Sequence, residues 1–261
     1  MDLGLQGHVA IVTGASKGIG LAITKALVAE GVSVVAGARD VRGELSALSG
    51  VTAVAVDLST PEGAQQIVAR AAEVGPLDIL VNNVGALAPR FGGFLSVTED
   101  QWWQSWNLNF MAAVRTTRAA LPAMIERGRG TIVTISSVNS FLPDPAIIDY
   151  TTAKAALTNF SKALSKEVGP KGIRVNTVSP GPVETPLWLG PQGLAAQVAE
   201  KSGVDPETAR KQIIESQGGL ATGRFTRPEE VADLVLLLAS GRAGNVTGSD
   251  FVIDGGLIKT L

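Results

Sequence analysis

Short apolar runs rich in β-branched residues recur along the chain: HVAIVT, VSVVAGA, VTAVAV, LDILVN, GTIVTIS, IRVNTVS and DFVID. Between them lie longer alanine-rich segments whose apolar residues fall three and four apart, the spacing of one helix face. The pattern predicts seven strands alternating with helices. Several strands are apolar throughout rather than alternating in and out, as strands covered by helices on both faces require. The expected architecture is therefore an α/β, doubly wound parallel sheet.

Local signals place several helix ends. KGIGLAITKALVAEG runs to Gly31, a residue suited to a left-handed stop. TPEGAQQIVARAAEVG opens with Thr60 as N-cap and Pro61 at the first helical position. A further helix starts near Pro228. Residues 185–223 break the rhythm, and WLGPQGLAAQVAEKSGVDPETARKQIIESQGG predicts two short helices inserted after the sixth strand. An excursion of this length on an α/β scaffold suits a substrate-binding lid. With no linker-like change in composition, residues 1–261 are expected to form a single domain.

Composition narrows the chemistry. The 261 residues include no cysteine and one histidine, His8, which removes thiolate nucleophiles, thiolate or multi-histidine metal sites and Ser-His-Asp hydrolysis. An acid or base must come from Tyr, Lys, Asp or Glu, and no metal is expected. Lys and Arg number 22 against 24 Asp and Glu, a net charge of −2. That balance provides no basic field for nucleic acid or anionic lipid. No apolar run approaches membrane-spanning length, and the start of the chain lacks the basic residues and long apolar run of a signal peptide. A cytoplasmic location is expected.

The stretch VTGASKGIGL follows the first strand and opens the first helix. Backbone N–H groups and the helix dipole at that junction favour a diphosphate. The spacing is Gly14-x-x-x-Gly18-x-Gly20, with Ser16, Lys17 and Ile19 between the glycines. It differs from the G-x-G-x-x-G dinucleotide fingerprint. Proteins that prefer NAD carry an acid near the end of the second strand to bond the ribose. Here that end reads Ala38-Arg39, so Arg39 and Lys17 are available to a 2′-phosphate. NADP(H) is the expected cofactor, with NAD(H) not excluded.

Tyr150 and Lys154, in YTTAK, share one face of a helix-like run. A neighbouring ammonium favours an ionised phenol and is expected to lower the Tyr150 pKa. Ser137 precedes Tyr150 by 13 residues at the end of the fifth strand. In an open parallel sheet the carboxyl ends of the strands share one crevice, where Gly14, Asn83 and Ser137 would converge.

These motifs resemble the short-chain dehydrogenase/reductase family, in its single-domain branch with a YxxxK motif, similar to 3-oxoacyl-ACP reductases. The resemblance covers nearly the whole chain and implies a Rossmann-type fold. TGASKGIG resembles the family's nucleotide loop, Asp57-Leu58 its adenine-contacting pair, and NNVG, from Asn82 to Gly85, its NNAG segment, with Val84 in place of alanine. SPGPVET, which supplies Val183 and Thr185, resembles the segment that meets the nicotinamide amide. The resemblance implies a tetrad of Asn109, Ser137, Tyr150 and Lys154. Tyr150 would pass the proton, Ser137 would hydrogen-bond the substrate oxygen, and Lys154 would bond the nicotinamide ribose and hold down the tyrosine pKa. Asn109 would position a water that relays protons to Lys154. Asn107 lies two residues away, and the distance to RAALP selects Asn109. The expected assembly is a homotetramer or homodimer.

The expected activity is hydride transfer between NADP(H) and the carbonyl or secondary alcohol of a moderately sized apolar substrate. Asn139, Leu142, Ile147 and Trp188 are the substrate-site candidates, with Val138, Phe141, Leu87, Phe91, Phe94 and Leu187 around them. Arg90 is a candidate for an anionic substrate group. Trp102, Trp103 and Trp106 are expected to serve core or subunit packing. A silent NADP(H)-binding sensor is the alternative, and it would bind the cofactor without turnover.

Overall fold

In the computed structural model, which describes residues 2–216 and 218–260, seven strands form one parallel sheet in the order β3-β2-β1-β4-β5-β6-β7. The strands are β1 (Val9–Thr13), β2 (Ser33–Ala38), β3 (Val51–Ala55), β4 (Leu77–Asn82), β5 (Gly130–Ile135), β6 (Ile173–Pro180) and β7 (Asp250–Ile253). The helices are α1 (Gly18–Ala29), α2 (Glu44–Ala47), α3 (Pro61–Val74), α4 (Glu99–Trp106), α5 (Ala112–Arg127), α6 (Ile148–Val168), α7 (Pro186–Leu189), α8 (Leu194–Ser202), α9 (Pro206–Ser216) and α10 (Pro228–Ala239). The strand order reverses between β1 and β4, opening a crevice at their carboxyl ends.

The uniformly apolar strands lie where the pattern puts them. β1 and β4 are buried along their whole length, whereas the edge strand β7 alternates exposed and half-buried positions. One core packs α1 and α10 against one face of the sheet through Ile23, Leu27, Val231 and Val235. The other packs α3, α5 and α6 against the opposite face through Ile67, Ala120, Met124 and Leu164.

Helix ends follow local chemistry. The Thr60 hydroxyl accepts from the Gly63 N–H at 3.1 Å to cap α3, and Gly31 closes the turn after α1 at φ +76°. Thr98 and Gln101 form a reciprocal capping box at the start of α4. Between α4 and α5 the backbone widens into a π-helical turn, Asn107–Met111.

Three helices, α7, α8 and α9, fill the segment where two were expected. The extra one is the short turn PLWL, which Pro186 starts and the predicted pattern left as loop. Of the predicted lid, Gln217 lies outside the described residues. Among the tryptophans, Trp106 packs on Phe110 at 4.7 Å between ring centroids, while Trp103 is exposed and donates its ring N–H to Glu99. No helix among the described residues is long and apolar enough to cross a membrane.

Candidate active site

The glycine loop is a product of close approach. Gly14 has φ +68° and Gly18 φ +55°, a region that L side chains rarely adopt. Gly20 has an ordinary φ, yet a Cβ there would lie 2.3 Å from the Gly14 carbonyl oxygen and 2.5 Å from Asn83 Nδ2. Asn83 stitches the ends of β1 and β4: its Nδ2 donates to the Thr13 carbonyl at 2.8 Å and to that of Gly14 at 3.1 Å. Thr13 Oγ1 accepts from the N–H groups of Asn83 and Val84. The first turn of α1 behind this loop has no side-chain cap and no acidic residue. Such an N-terminus, approached by glycine backbone, fits a diphosphate.

At the ends of the neighbouring strands, Arg39 and Asp57 are both exposed. Hydroxyl and N–H donors of Ser59, helped by the Arg39 charge, hold the Asp57 carboxyl below its usual range. Leu58 is 3% exposed and belongs to the core, so its side chain is turned away from the surface on which Asp57 lies. The sequence reading passed over Asp40, an acid one residue beyond Arg39. The Arg42 fork engages both of its oxygens, at 2.9 and 2.8 Å. A cationic surface with a masked acid suits a 2′-phosphate better than a bare ribose hydroxyl.

The four tetrad candidates gather on the other side of the crevice. Ser137 follows β5 by two residues in extended backbone, and its hydroxyl donates to Asn139 Oδ1 at 3.2 Å while accepting from the Asn139 N–H at 3.1 Å. Tyr150 lies in the first turn of α6, half-buried and on the wall of a cavity of about 280 Å³ that Ser137 also lines. Lys154, one turn on, is 3% exposed and donates its ammonium to the Ile135 carbonyl at 2.9 Å.

Asn109 sits inside the π turn, 1% exposed. Its Nδ2 donates to the Ala86 carbonyl at 2.9 Å and its Oδ1 accepts from the Ala86 N–H at 3.0 Å, a two-point clasp on the loop after β4. Asn107 points elsewhere, accepting from Arg115 at 3.0 Å. Gly85 explains why that loop begins with glycine: a Cβ there would stand 2.9 Å from Asn109 Oδ1 and 3.5 Å from Lys154 Nζ.

The electrostatics depart from the expectation that Lys154 lowers the tyrosine pKa. Burial pushes the Tyr150 phenol up to about 12, against the opposing effect of a hydrogen bond with Ser137. The Lys154 ammonium lies 5.7 Å from the Tyr150 ring centroid, and burial pushes it down to about 8. Sharing a helix face brings the two side chains together, but desolvation outweighs the attraction of a cation already turned toward a carbonyl. Tyr150 is therefore a protonated phenol at neutral pH, ready to give a proton rather than to take one.

The cavity is walled by the loop after β4 (Leu87, Pro89, Phe91), by Val138, Asn139 and Ile147 after β5, and by Leu187 and Trp188 of α7. Ile19, Val183 and Thr185 also line it, and a Cβ on Gly18 would touch Thr185 Cγ2 at 3.2 Å, so the glycine loop and the start of the 185–223 segment meet there. Four expected positions lie off this wall. Leu142 turns outward at 37% exposure and meets Asn139 only through its carbonyl, while Phe94 and Phe141 are more exposed still. Arg90 is engaged by the buried carboxylate of Asp149, which removes it as a partner for an anionic substrate. No local pattern marks Leu194, Val198, Ile213 and Leu257, which reach the cavity from α8, α9 and the C-terminal segment. Lys201 of α8 lies 4.2 Å above the Phe91 ring and ties lid to loop.

An open parallel sheet with a glycine-lined helix N-terminus and a Tyr-Lys pair at its strand ends defines a dinucleotide-dependent oxidoreductase. Comparison makes the assignment particular: the family model described as short chain dehydrogenase matches residues 8–190, and the chain belongs to that family. It is similar to the L-xylulose reductase of Mus musculus, at 37% identity with both chains fully covered. Human dehydrogenase/reductase SDR family member 4 is 33% identical over 98% of this chain and 90% of its own. Among solved structures, L-sorbose reductase from Gluconobacter frateurii, complexed with NADPH and L-sorbose, superposes with TM-score 0.91 at 37% identity, covering both chains entirely.

Proposed function

We propose that this chain is an NADP(H)-dependent carbonyl reductase in which Tyr150 is the general acid. The observation that carries the reading is the placement of Tyr150 and Ser137 on one cavity wall that also includes Ile19 of the glycine loop. Gly14, Ser16, Lys17, Gly18, Ile19 and Gly20 would hold the diphosphate side of the cofactor. Arg39 would meet the 2′-phosphate, Asp57 and Leu58 the adenosine, and Asn83, Gly85, Val183 and Thr185 the nicotinamide half. NADPH as the cofactor is supported by Arg39 and by the NADPH named in the L-sorbose reductase complex.

The chemistry that NADPH would supply when bound is a hydride for the carbonyl carbon. As negative charge grows on the carbonyl oxygen, the Ser137 hydroxyl donates a hydrogen bond to it and Tyr150 delivers its proton, leaving a phenolate. Lys154 stabilises that phenolate and bonds the nicotinamide ribose. Asn109 is assigned the water relay that returns a proton through Lys154, supported by the approach of Asn109 Oδ1 and Lys154 Nζ to one point at Gly85.

Residues 185–223 act as the substrate lid of a single-domain enzyme. The substrate in this reading is a moderately sized ketone with an apolar body, because leucine, isoleucine, valine, proline and aromatic side chains make up most of the wall. A ketose is the second reading, favoured by the sugar reductases among the relatives and by Asn139, Asp144 and Ser216 on the same wall. The enzyme acts as a cytoplasmic homotetramer in this proposal, which cell fractionation and mass in solution would check.

The test is oxidation of NADPH and NADH across apolar ketones, β-keto thioesters and ketoses, with Tyr150→Phe run beside the native chain. Turnover that prefers NADPH and falls by about 10²- to 10⁴-fold in the variant, with NADPH binding kept, is expected. Tight NADPH binding with no turnover of any ketone would favour the sensor instead.

A further inference from the structure

Pro89 and Phe91 face the cavity from the loop after β4, and Arg90 between them turns away from it. Its guanidinium forks onto Asp149, with Nε 3.2 Å from Oδ1 and Nη2 hydrogen-bonded to Oδ2. The side chains are 14% and 2% exposed, so this is a buried ion pair. The Arg90 N–H also donates to the Ala146 carbonyl at 2.6 Å. Ala146 and Ile147 line the same cavity, and Asp149 immediately precedes Tyr150.

A buried ion pair adds little net stability, because desolvation of both charges offsets their attraction. What a guanidinium-carboxylate fork does supply is direction, since two parallel N–H···O bonds fix one element against another in a single geometry. Here it joins two walls of one pocket, 59 residues apart in sequence.

We propose that the Arg90–Asp149 pair is a positioning clamp: it holds the loop after β4 against the start of α6, setting the spacing between the Phe91 wall and the Tyr150 acid across the bound substrate. Arg90 and Asp149 touch neither substrate nor cofactor and act through Phe91 and Tyr150. The proposal rests on the reductase reading for its kinetic effect, but not for the clamp itself.

The test compares Arg90→Gln, Asp149→Asn, the double variant and Arg90→Lys with the native enzyme. The measurements are kcat, KM, NADPH affinity, melting temperature and hydrogen exchange of segments 84–98 and 144–152. Each single neutralisation should lower kcat/KM by about ten- to a hundredfold, as small misplacements of reacting groups do, with NADPH affinity unchanged. The double variant leaves neither charge buried alone, so its loss should be smaller than the two single losses combined. Arg90→Lys should recover part of the activity. Exchange should rise in both segments together when either partner is removed. Unchanged kcat/KM, or activity that falls only in step with melting temperature and NADPH affinity, would overturn the clamp, as would exchange rising in one segment alone. If a single variant fails to fold, the double variant and Arg90→Lys decide the same question. A native chain inert toward every ketone would count against the reductase reading, and the exchange of the two segments would still judge the clamp.

Discussion

The two sides of the crevice are built differently. On the glycine-loop side, positions are fixed by backbone: Gly14, Gly20 and Asn83 meet at distances that leave no room for a further side chain, and Thr13 ties β1 to β4 through hydrogen bonds to Val81 and Asn83. On the substrate side, the wall consists of side chains from the loop after β4 and from α7 to α9, several of them exposed, such as Phe91 at 46% and Leu187 at 41%. A surface made by close backbone approach tolerates almost no substitution. A surface made by packed side chains changes shape with each one, so one scaffold can keep its cofactor while its substrate varies.

The sharpest way to break this contrast is Gly20→Ala. The new methyl would meet a backbone carbonyl at 2.3 Å, and neither partner can rotate away. NADPH affinity should fall by about a hundredfold, as misplacement of a binding element by an ångström does. Fluorescence titration with NADPH measures it, and near-native binding would show that the glycine-loop side is more plastic than its geometry implies.

Lys154, at the junction of the two sides, gives a pH-dependent test. Its folded pKa of about 8 lies below the ordinary lysine value of 10.5. Between those values the unfolded chain binds more protons than the folded one, so burial of the charge destabilises fully below pH 8 and is progressively relieved as pH rises to 10.5. The native chain should therefore gain stability relative to Lys154→Met across that window, by about 3 kcal/mol. Denaturant unfolding of both chains at several pH values reads the difference. Tyr150, raised to about 12, acts in the opposite sense only above the ordinary tyrosine value of 10.0 and is common to both chains. A constant difference between the chains would mean that Lys154 is better solvated than its burial indicates.

These two residues also show what a sequence can and cannot disclose. The glycine loop was legible because positive φ at Gly14 and Gly18 and close approach at Gly20 demand one residue type at set positions. Strand identity was legible because burial on both faces leaves a run without polar interruption, as in residues 9–12 of β1 and 34–38 of β2. The protonation of Tyr150 was not: helical spacing predicts a neighbour, and burial, which reversed the expected shift, depends on residues far along the chain. The partnership of Arg90 with Asp149, and the arrival of Ile213 and Leu257 at the cavity, are likewise tertiary facts without local signature.

Arg39→Glu tests the phosphate end of the glycine-loop side. An acid beside the 2′-phosphate would replace attraction with repulsion, while NADH carries no group there to notice the change. The ratio of NADPH to NADH affinity should fall about tenfold or more. An unaltered ratio would assign phosphate recognition to Lys17 or Arg42 instead.

The smallest expected effect belongs to the substrate side. Lys201 lies 4.2 Å above the Phe91 ring, and because both side chains are exposed the contact is worth about 0.5–1 kcal/mol. Lys201→Ala removes that tie between α8 and the loop, but leaves Phe91 flanked by Arg90 and its buried partner. KM for the ketone should rise about two- to fivefold, with kcat and NADPH affinity within error of native. A fall in kcat would mean that the lid helps to set the position of the acid; a lower NADPH affinity would mean that the two sides of the crevice are coupled through Thr185, where the glycine loop and the start of the 185–223 segment touch.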